Sequence, residues 1–242
     1  MHASPGQGIV PALEMSPLLT RAAGWRDRRD RFGALLAATV AAFAVEGIAT
    51  PRVWDQVLVT ALFSGTLYLA LWAADARSVV LKVALVAGLL VLALSIVEAA
   101  AGHVDNAAVR LANLLLVLLA PPAVVIGVVR GVRARNKITV EAVLGVLCLY
   151  LLIGLFFAQL FGAIDRVSGS FFSNNLQATP SECVYFSFTT LTTIGYGDIT
   201  TAGNLGHTLA VTEGMVGQIY LVTIVSLLVG NLGRRAPQRE PQ

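Results

Sequence analysis

The chain has 242 residues, of which 56% are hydrophobic and only 13% charged, and its mean hydropathy is +0.75. Soluble globular domains carry about 25% charged residues, so this composition excludes an ordinary water-soluble enzyme and makes lipid the main solvent. The formal net charge of +3 does not point to nucleic acid, because the basic residues sit in the gaps between apolar runs, where membrane topology accounts for them.

In chain order, residues 1–31 form a basic N-terminal segment. Its Ser16–Arg31 stretch mixes Leu and Trp with arginines, a pattern that suits either a segment lying in the membrane interface or a solvated basic tail. A membrane helix needs roughly 20 apolar residues to cross about 30 Å of hydrocarbon. Six stretches qualify: Phe32–Thr50, Val53–Ala74, Val79–Ala101, Ala107–Val132, Ile138–Ile164 and Leu205–Gly233. The expected fold class is therefore an all-α membrane protein with six transmembrane helices. A four-helix peripheral domain spans 32–137, a second membrane domain 138–233, and a short tail 234–242. The first apolar run starts late and five more follow it, so no cleaved signal peptide is expected. With the N-terminus inside, 14 of the 17 basic residues fall on the inner side and only Arg52, Arg110 and Arg166 on the outer. Both termini are thus expected to be cytoplasmic. The Ala/Leu/Val/Arg-rich composition suggests a bacterial inner membrane.

The few charges near the spans carry information. The fourth span has no charge from Leu111 to Val129, with Arg110 at its outer end and Arg130 and Arg133 at its inner end. A voltage sensor moves about 3–4 charges per subunit, each worth about 2.3 kcal/mol per 100 mV, so steep voltage dependence is not expected. Pro121 and Pro122 remove backbone donors from this span, which predicts a kink or two stacked pieces. Glu46, Glu98 and Arg110 all fall toward the outer side, and at least one of the acids is expected to pair with Arg110. Cys148 and Cys183 have no ligand spacing and are expected to be free thiols. His207 falls near the expected outer mouth, and lone surface histidines such as it and His103 are usually inert. No nucleophile, metal-ligand cluster or phosphate-cradling loop is present in the sequence, so no catalytic residue, organic cofactor or small-molecule substrate is expected.

Between the fifth and sixth spans, Ser181–Asp198 reads SECVYFSFTTLTTIGYGD: about a dozen residues suited to a short helix, Pro180–Thr192, then a Thr/Gly-rich run. It is too short to span, and Gly195 and Gly197 permit backbone angles that other residues resist. Irregular backbone at membrane depth is tolerated only where it is buried in protein or lines a water-filled path. This predicts a re-entrant loop at the centre of an assembly.

Through Thr192, Thr193, Ile194, Gly195, Tyr196, Gly197 and Asp198 the chain resembles the potassium-channel superfamily, with Ile194 standing where the usual signature has Val. The resemblance covers roughly Ile138–Gly233. It implies a K+ selectivity filter of Thr193, Ile194, Gly195, Tyr196 and Gly197, in which the carbonyls of Thr193, Ile194, Gly195 and Tyr196 replace the water around a permeant K+. It also implies four copies around one pore, a homotetramer embedded in the lipid bilayer, because each chain supplies one loop. Thr192, Asp198, Tyr185, Phe186 and Glu213 are the expected supports. Tyr196 is expected to pack on Tyr185 and Phe186. Many relatives have two tryptophans at those positions, and of the two residues here only Tyr185 has a donor for Asp198.

In the sixth span the resemblance places a gating hinge at Gly217, with Gly214 and Gly230 as rivals; close helix packing explains such glycines equally well. Val225, Leu228 and Val229 are candidates for an inner constriction. Glu213, an acid inside the span, is expected to bond pore-helix hydroxyls such as Thr189 or Thr190 or to tune conduction electrostatically. The reading that follows is a potassium channel with weak or no voltage dependence. The alternatives are a less selective cation channel and a non-conducting membrane sensor or subunit.

Overall fold

The computed structural model describes residues 16–48, 53–102, 107–135, 139–173, 176 and 178–233; on the helices, the side chains at 16–28, 53, 135, 225 and 228–233 lie outside the described residues. Seven helices are found among them: α1 Ser16–Ile48, α2 Val53–Ala73, α3 Ser78–Ala100, α4 Ala107–Arg135, α5 Val140–Ser168, α6 Pro180–Leu191 and α7 Gly203–Gly233. Five of these, α1 to α5, have stretches long and apolar enough to cross a membrane. The sixth expected span, α7, has the length at 31 residues, and part of its apolar second half, the side chains at 225 and 228–233, lies outside the described residues.

α2 packs on α1, α3 and α4; α5 packs on α4 and α1; and α6 sits among α1, α5 and α7. Their shared core includes Phe32 and Leu35 of α1, Phe63 and Leu67 of α2, Val117 and Val124 of α4, and Leu152 and Leu155 of α5. α3 is peripheral: only Gly88 and Ser95 are buried on it. At Gly88 the missing side chain lets α3 approach α2, since a Cβ there would lie 3.0 Å from Ser64 Cβ.

Arginines tie the helix ends together. At one end of the bundle Arg31 pairs with Asp75 at 3.0 Å and lies 4.4 Å from the ring centre of Trp72. At the same end, Arg130 Nη1 donates to the Ala74 carbonyl at the close of α2 (3.0 Å). Such contacts satisfy helix-terminal carbonyls that would otherwise lack partners.

One expectation changes. α4 is one continuous helix across Pro121 and Pro122 rather than two stacked pieces. Each proline deletes a single backbone donor, and the packing of α4 on α2 and α5 holds the flanking turns in helical geometry. α1 is likewise unbroken from Ser16 through Arg31, and its stretch long and apolar enough to cross a membrane is Arg29–Ile48. His103 lies outside the described residues.

Candidate functional site

The site begins with the way α6 is started. Thr179 accepts a hydrogen bond from the Glu182 backbone N–H (3.3 Å), and the Glu182 carboxylate accepts from the Thr179 N–H (3.2 Å). This capping box with Pro180 in the first turn satisfies donors at the helix N-terminus. The helix is fixed over its length by what it touches. Ser181 Oγ donates to the Gly47 carbonyl of α1 at 2.9 Å. The Phe188 ring lies so close to Gly154 of α5 that a Cβ there would come within 2.6 Å of it.

At its C-terminus α6 turns directly into the loop. Thr193 N–H donates to the Thr190 carbonyl (3.0 Å), and the N–H groups of Ile194 (2.9 Å) and Gly195 (3.1 Å) both donate to the Thr189 carbonyl. The backbone then passes through left-handed φ values at Thr193 (60°), Gly195 (52°) and Gly197 (78°). Glycine adopts such angles freely, whereas a β-branched threonine there is strained, and strain of this kind concentrates at functional sites. Among the described residues no backbone N–H donates to the carbonyls of Thr193, Ile194, Gly195 or Tyr196. The loop therefore spends its first donors on the helix behind it and leaves four consecutive acceptors uncommitted.

The loop is also uncovered on the single chain: every residue from Thr192 to Asp198 is exposed, with Ile194 at 54% and Tyr196 at 70%. On α7 the residues Val211, Met215, Ile219 and Val222 are exposed too. Their spacing places them on one face of the helix.

Tyr185 and Asp198 meet as the sequence suggests, Tyr185 Oη donating to Asp198 Oδ2 at 2.7 Å. This bond holds the Asp198 carboxyl below its usual range and raises the Tyr185 hydroxyl above its own. Tyr185 and Tyr196 stack with ring centres 6.4 Å apart and planes 6° from parallel. Phe186 does not join them. One position on along the helix it points the other way, where it is buried against Phe161 and Phe172 with centroid distances of 5.4 and 5.3 Å. The Phe172 segment is in turn bridged to the chain after the loop, through Ser173 N–H to Thr200 O (2.8 Å) and Ala202 N–H to Phe171 O (2.7 Å). His207 Nε2 lies 3.1 Å from the Thr201 carbonyl in the same region.

Behind α6 sits Glu213 of α7, fully buried. It does not meet Thr189 or Thr190; its partner is Ser187, whose Oγ lies 2.5 Å from Glu213 Oε1 and 2.7 Å from the Gly154 carbonyl. Thr189 and Thr192 instead donate to carbonyls of their own helix, Phe186 and Phe188. Nothing in the sequence distinguishes Ser187 from its threonine neighbours except its phase on the helix. At Gly217 a Cβ would lie 2.5 Å from the Leu191 carbonyl and 2.8 Å from Leu191 Cδ1. The glycine is thus required where α7 presses on the last residue of α6, and α7 is continuous through it. At Gly214 a Cβ would meet only the Thr190 carbonyl, at 3.8 Å. The side chains of Val225, Leu228 and Val229, and Gly230, lie outside the described residues.

Sequence reasoning missed how the Arg110 end of the bundle is joined to α6. Arg110 of α4, 6% exposed, donates from Nη2 to the Ala178 carbonyl at 3.0 Å and hydrogen-bonds Cys183. Its charge acts on Glu46 of α1, and Glu46 Oε1 accepts from Gln159 Nε2 of α5. Cys148, also free, contacts Thr39 (3.1 Å) between α1 and α5.

A bundle of long apolar helices packed around a capped short helix, with a strained loop whose carbonyls accept from no backbone N–H among the described residues, defines a multi-pass membrane protein. Residues 145–233, from within α5 to the end of α7, match the family model described as ion channel. No curated protein and no solved structure matches significantly.

Proposed function

We propose that this protein is a potassium-selective channel that conducts passively through the Thr193–Gly197 loop of four copies arranged around one pore. The observation that carries the proposal is the division of the loop's backbone groups. Its N–H groups at 193–195 are held by α6, while the carbonyls of Thr193, Ile194, Gly195 and Tyr196 accept from no backbone N–H among the described residues and are available to replace the hydration shell of a cation.

The single copy of the loop is the argument for assembly. Exposed irregular backbone with unsatisfied carbonyls is not tolerated against lipid, so the surface formed by Thr192–Asp198 needs further copies to enclose it. The exposed α7 face of Val211, Met215, Ile219 and Val222 then lines the inner vestibule or meets the neighbouring α7. In this arrangement α6 aims the negative end of its dipole at the cavity below the loop, favouring a partly dehydrated cation there. Tyr185 and Tyr196 hold the loop from outside through Asp198. Glu213 and Gly217 support it from behind. By the count of basic residues, both termini face the cytoplasm. A fourth helix with no charge from Leu111 to Val129, whose Arg110 is engaged with neighbouring elements, gives the channel little voltage dependence.

The test is K+ efflux from liposomes containing the purified full chain. The expected result is flux blocked by external Ba2+ and a native mass corresponding to four chains. Flux of K+ and Na+ at equal rates would support the less selective alternative instead, and no Ba2+-sensitive flux would support a non-conducting subunit.

A further inference from the structure

We infer that Arg110 is a positioning residue for the pore loop: it latches the start of α6 to α4, so that the peripheral helices set the position of the helix that carries the loop. This inference rests on the channel reading, but its physical content is separable from it.

The geometry joins four helices at one guanidinium. Arg110 lies in the first turn of α4. Its Nη2 bonds the carbonyl of Ala178, the residue immediately before the capping Thr179, and it also bonds Cys183 of α6. It lies against α5 at Gly162, where a Cβ would fall on the guanidinium itself; the absence of a side chain there is what gives Arg110 its route to α6. On the α1 side it faces Glu46, which is held in place by Gln159 of α5, and α1 also grips α6 directly through Ser181 and Gly47. Two further acids lie nearby. Asp165 of α5 acts on Cys183 and accepts from the Phe171 N–H, and Glu182 of α6 is engaged in the capping box.

A buried guanidinium is retained only where charge and hydrogen bonds compensate its lost hydration, and here the compensating groups come from α1 and α6 together. The donor sits at the N-terminal end of α6, a place where a helix does not favour a cation, so helix electrostatics do not explain it. Its function is mechanical. A shift of α4 is transmitted through a short, stiff contact to the N-terminus of α6, whose other end forms the backbone bonds that shape Thr193–Gly195. The one basic residue at the outer end of the fourth span is in this view a strut between domains rather than a sensing charge.

The test uses full-length protein in liposomes and three variants: R110M, which removes the latch; R110K, which keeps the charge but not the forked contact; and G162A, which keeps every charged group and displaces the guanidinium. The readouts are the decay of K+ flux at low external K+, the K+/Na+ permeability ratio, and hydrogen exchange of the amides at 182–184. R110M and G162A are expected to speed the decay at least tenfold and raise exchange at 182–184 at least tenfold, with R110K intermediate. The double variant R110M/G162A should be no worse than R110M. Unchanged decay and unchanged exchange in G162A would overturn the inference, as would changes confined to α4. If the wild type shows no Ba2+-sensitive flux the channel reading fails, and the exchange of 182–184 still decides whether the latch exists. If R110M does not fold, G162A and R110K carry the test.

Discussion

Replacing Gly217 by Ala separates a packing role from a hinge role. A Cβ at Gly217 would lie 2.5 Å from the Leu191 carbonyl oxygen and 2.8 Å from Leu191 Cδ1, against an ordinary contact range that starts at 3.4 Å. The obstacle is backbone at the end of α6, so α7 and α6 must part by about 1 Å, an overpacking that costs about 1–3 kcal/mol. Gly214, one turn earlier, is the control: its added Cβ meets nothing nearer than 3.8 Å. Both changes gain about 0.8–1 kcal/mol in helix propensity and both stiffen α7 to the same degree. The difference between G217A and G214A therefore isolates the overpacking, about 1–3 kcal/mol in favour of G214A. The assay is denaturant unfolding of the detergent-solubilised protein followed by tryptophan fluorescence, with K+ flux measured in parallel. Because the strain lands on the residue that precedes the loop, G217A should also lose flux, while G214A retains it. Equal stability of the two variants would refute the packing argument, and equal functional loss in both would return Gly217 to a hinge.

Other expectations follow from the site. Y185F removes the hydroxyl bonded to Asp198 and should accelerate the loss of conductance during sustained opening; unchanged kinetics would leave Tyr185 with a stacking role only. The Asp198 carboxyl is held below its usual range by that same bond, so the interaction is fully present above the ordinary carboxylate range and is lost as external pH falls through the lowered value. Wild-type channels should then approach Y185F kinetics at strongly acidic pH while Y185F itself changes little. E213Q keeps a hydrogen-bonding group for Ser187 and should be close to wild type in stability, whereas E213A should lose about 1–3 kcal/mol, read by the same unfolding assay. Finally, the current–voltage relation should be shallow, with less than about one charge per subunit moved, because each charge crossing the field would contribute about 2.3 kcal/mol per 100 mV and none lies between Leu111 and Val129; a steep conductance–voltage curve would contradict this.

Apart from the start of α1, which lies well before its apolar run, the helices were legible in the sequence to within a few residues, because uninterrupted apolar runs bounded by charges are set by membrane thickness and little else. The start of α6 was legible too, since Thr179-Pro180-Ser181-Glu182 satisfies its own donors locally. What failed were statements about phase and partner. Tyr185 and Phe186 are adjacent, and the sequence treats them as a pair, but a rotation of about 100° per residue sends one to Tyr196 and the other to Phe161. Ser187 rather than Thr189 or Thr190 meets Glu213 for the same reason. The continuity of α4 through Pro121 and Pro122 depends on neighbours that a single-helix argument does not contain. Arg110 is the clearest case: an acid partner was foreseeable from the shared outer position of Glu46, but its bond to a carbonyl 68 residues away and the need for Gly162 beneath it arise only when α4, α5 and α6 are brought together.

The central claim is that uncommitted carbonyls at Thr193–Tyr196 select K+. It is tested most directly by the reversal potential of the purified full chain in planar bilayers with K+ on one side and Na+ on the other. The account predicts a reversal potential that follows the K+ gradient, with Na+ carrying less than about a tenth of the K+ permeability, and a current abolished by Ba2+. A reversal potential near zero under those ions, with a Ba2+-sensitive current still flowing, would contradict it.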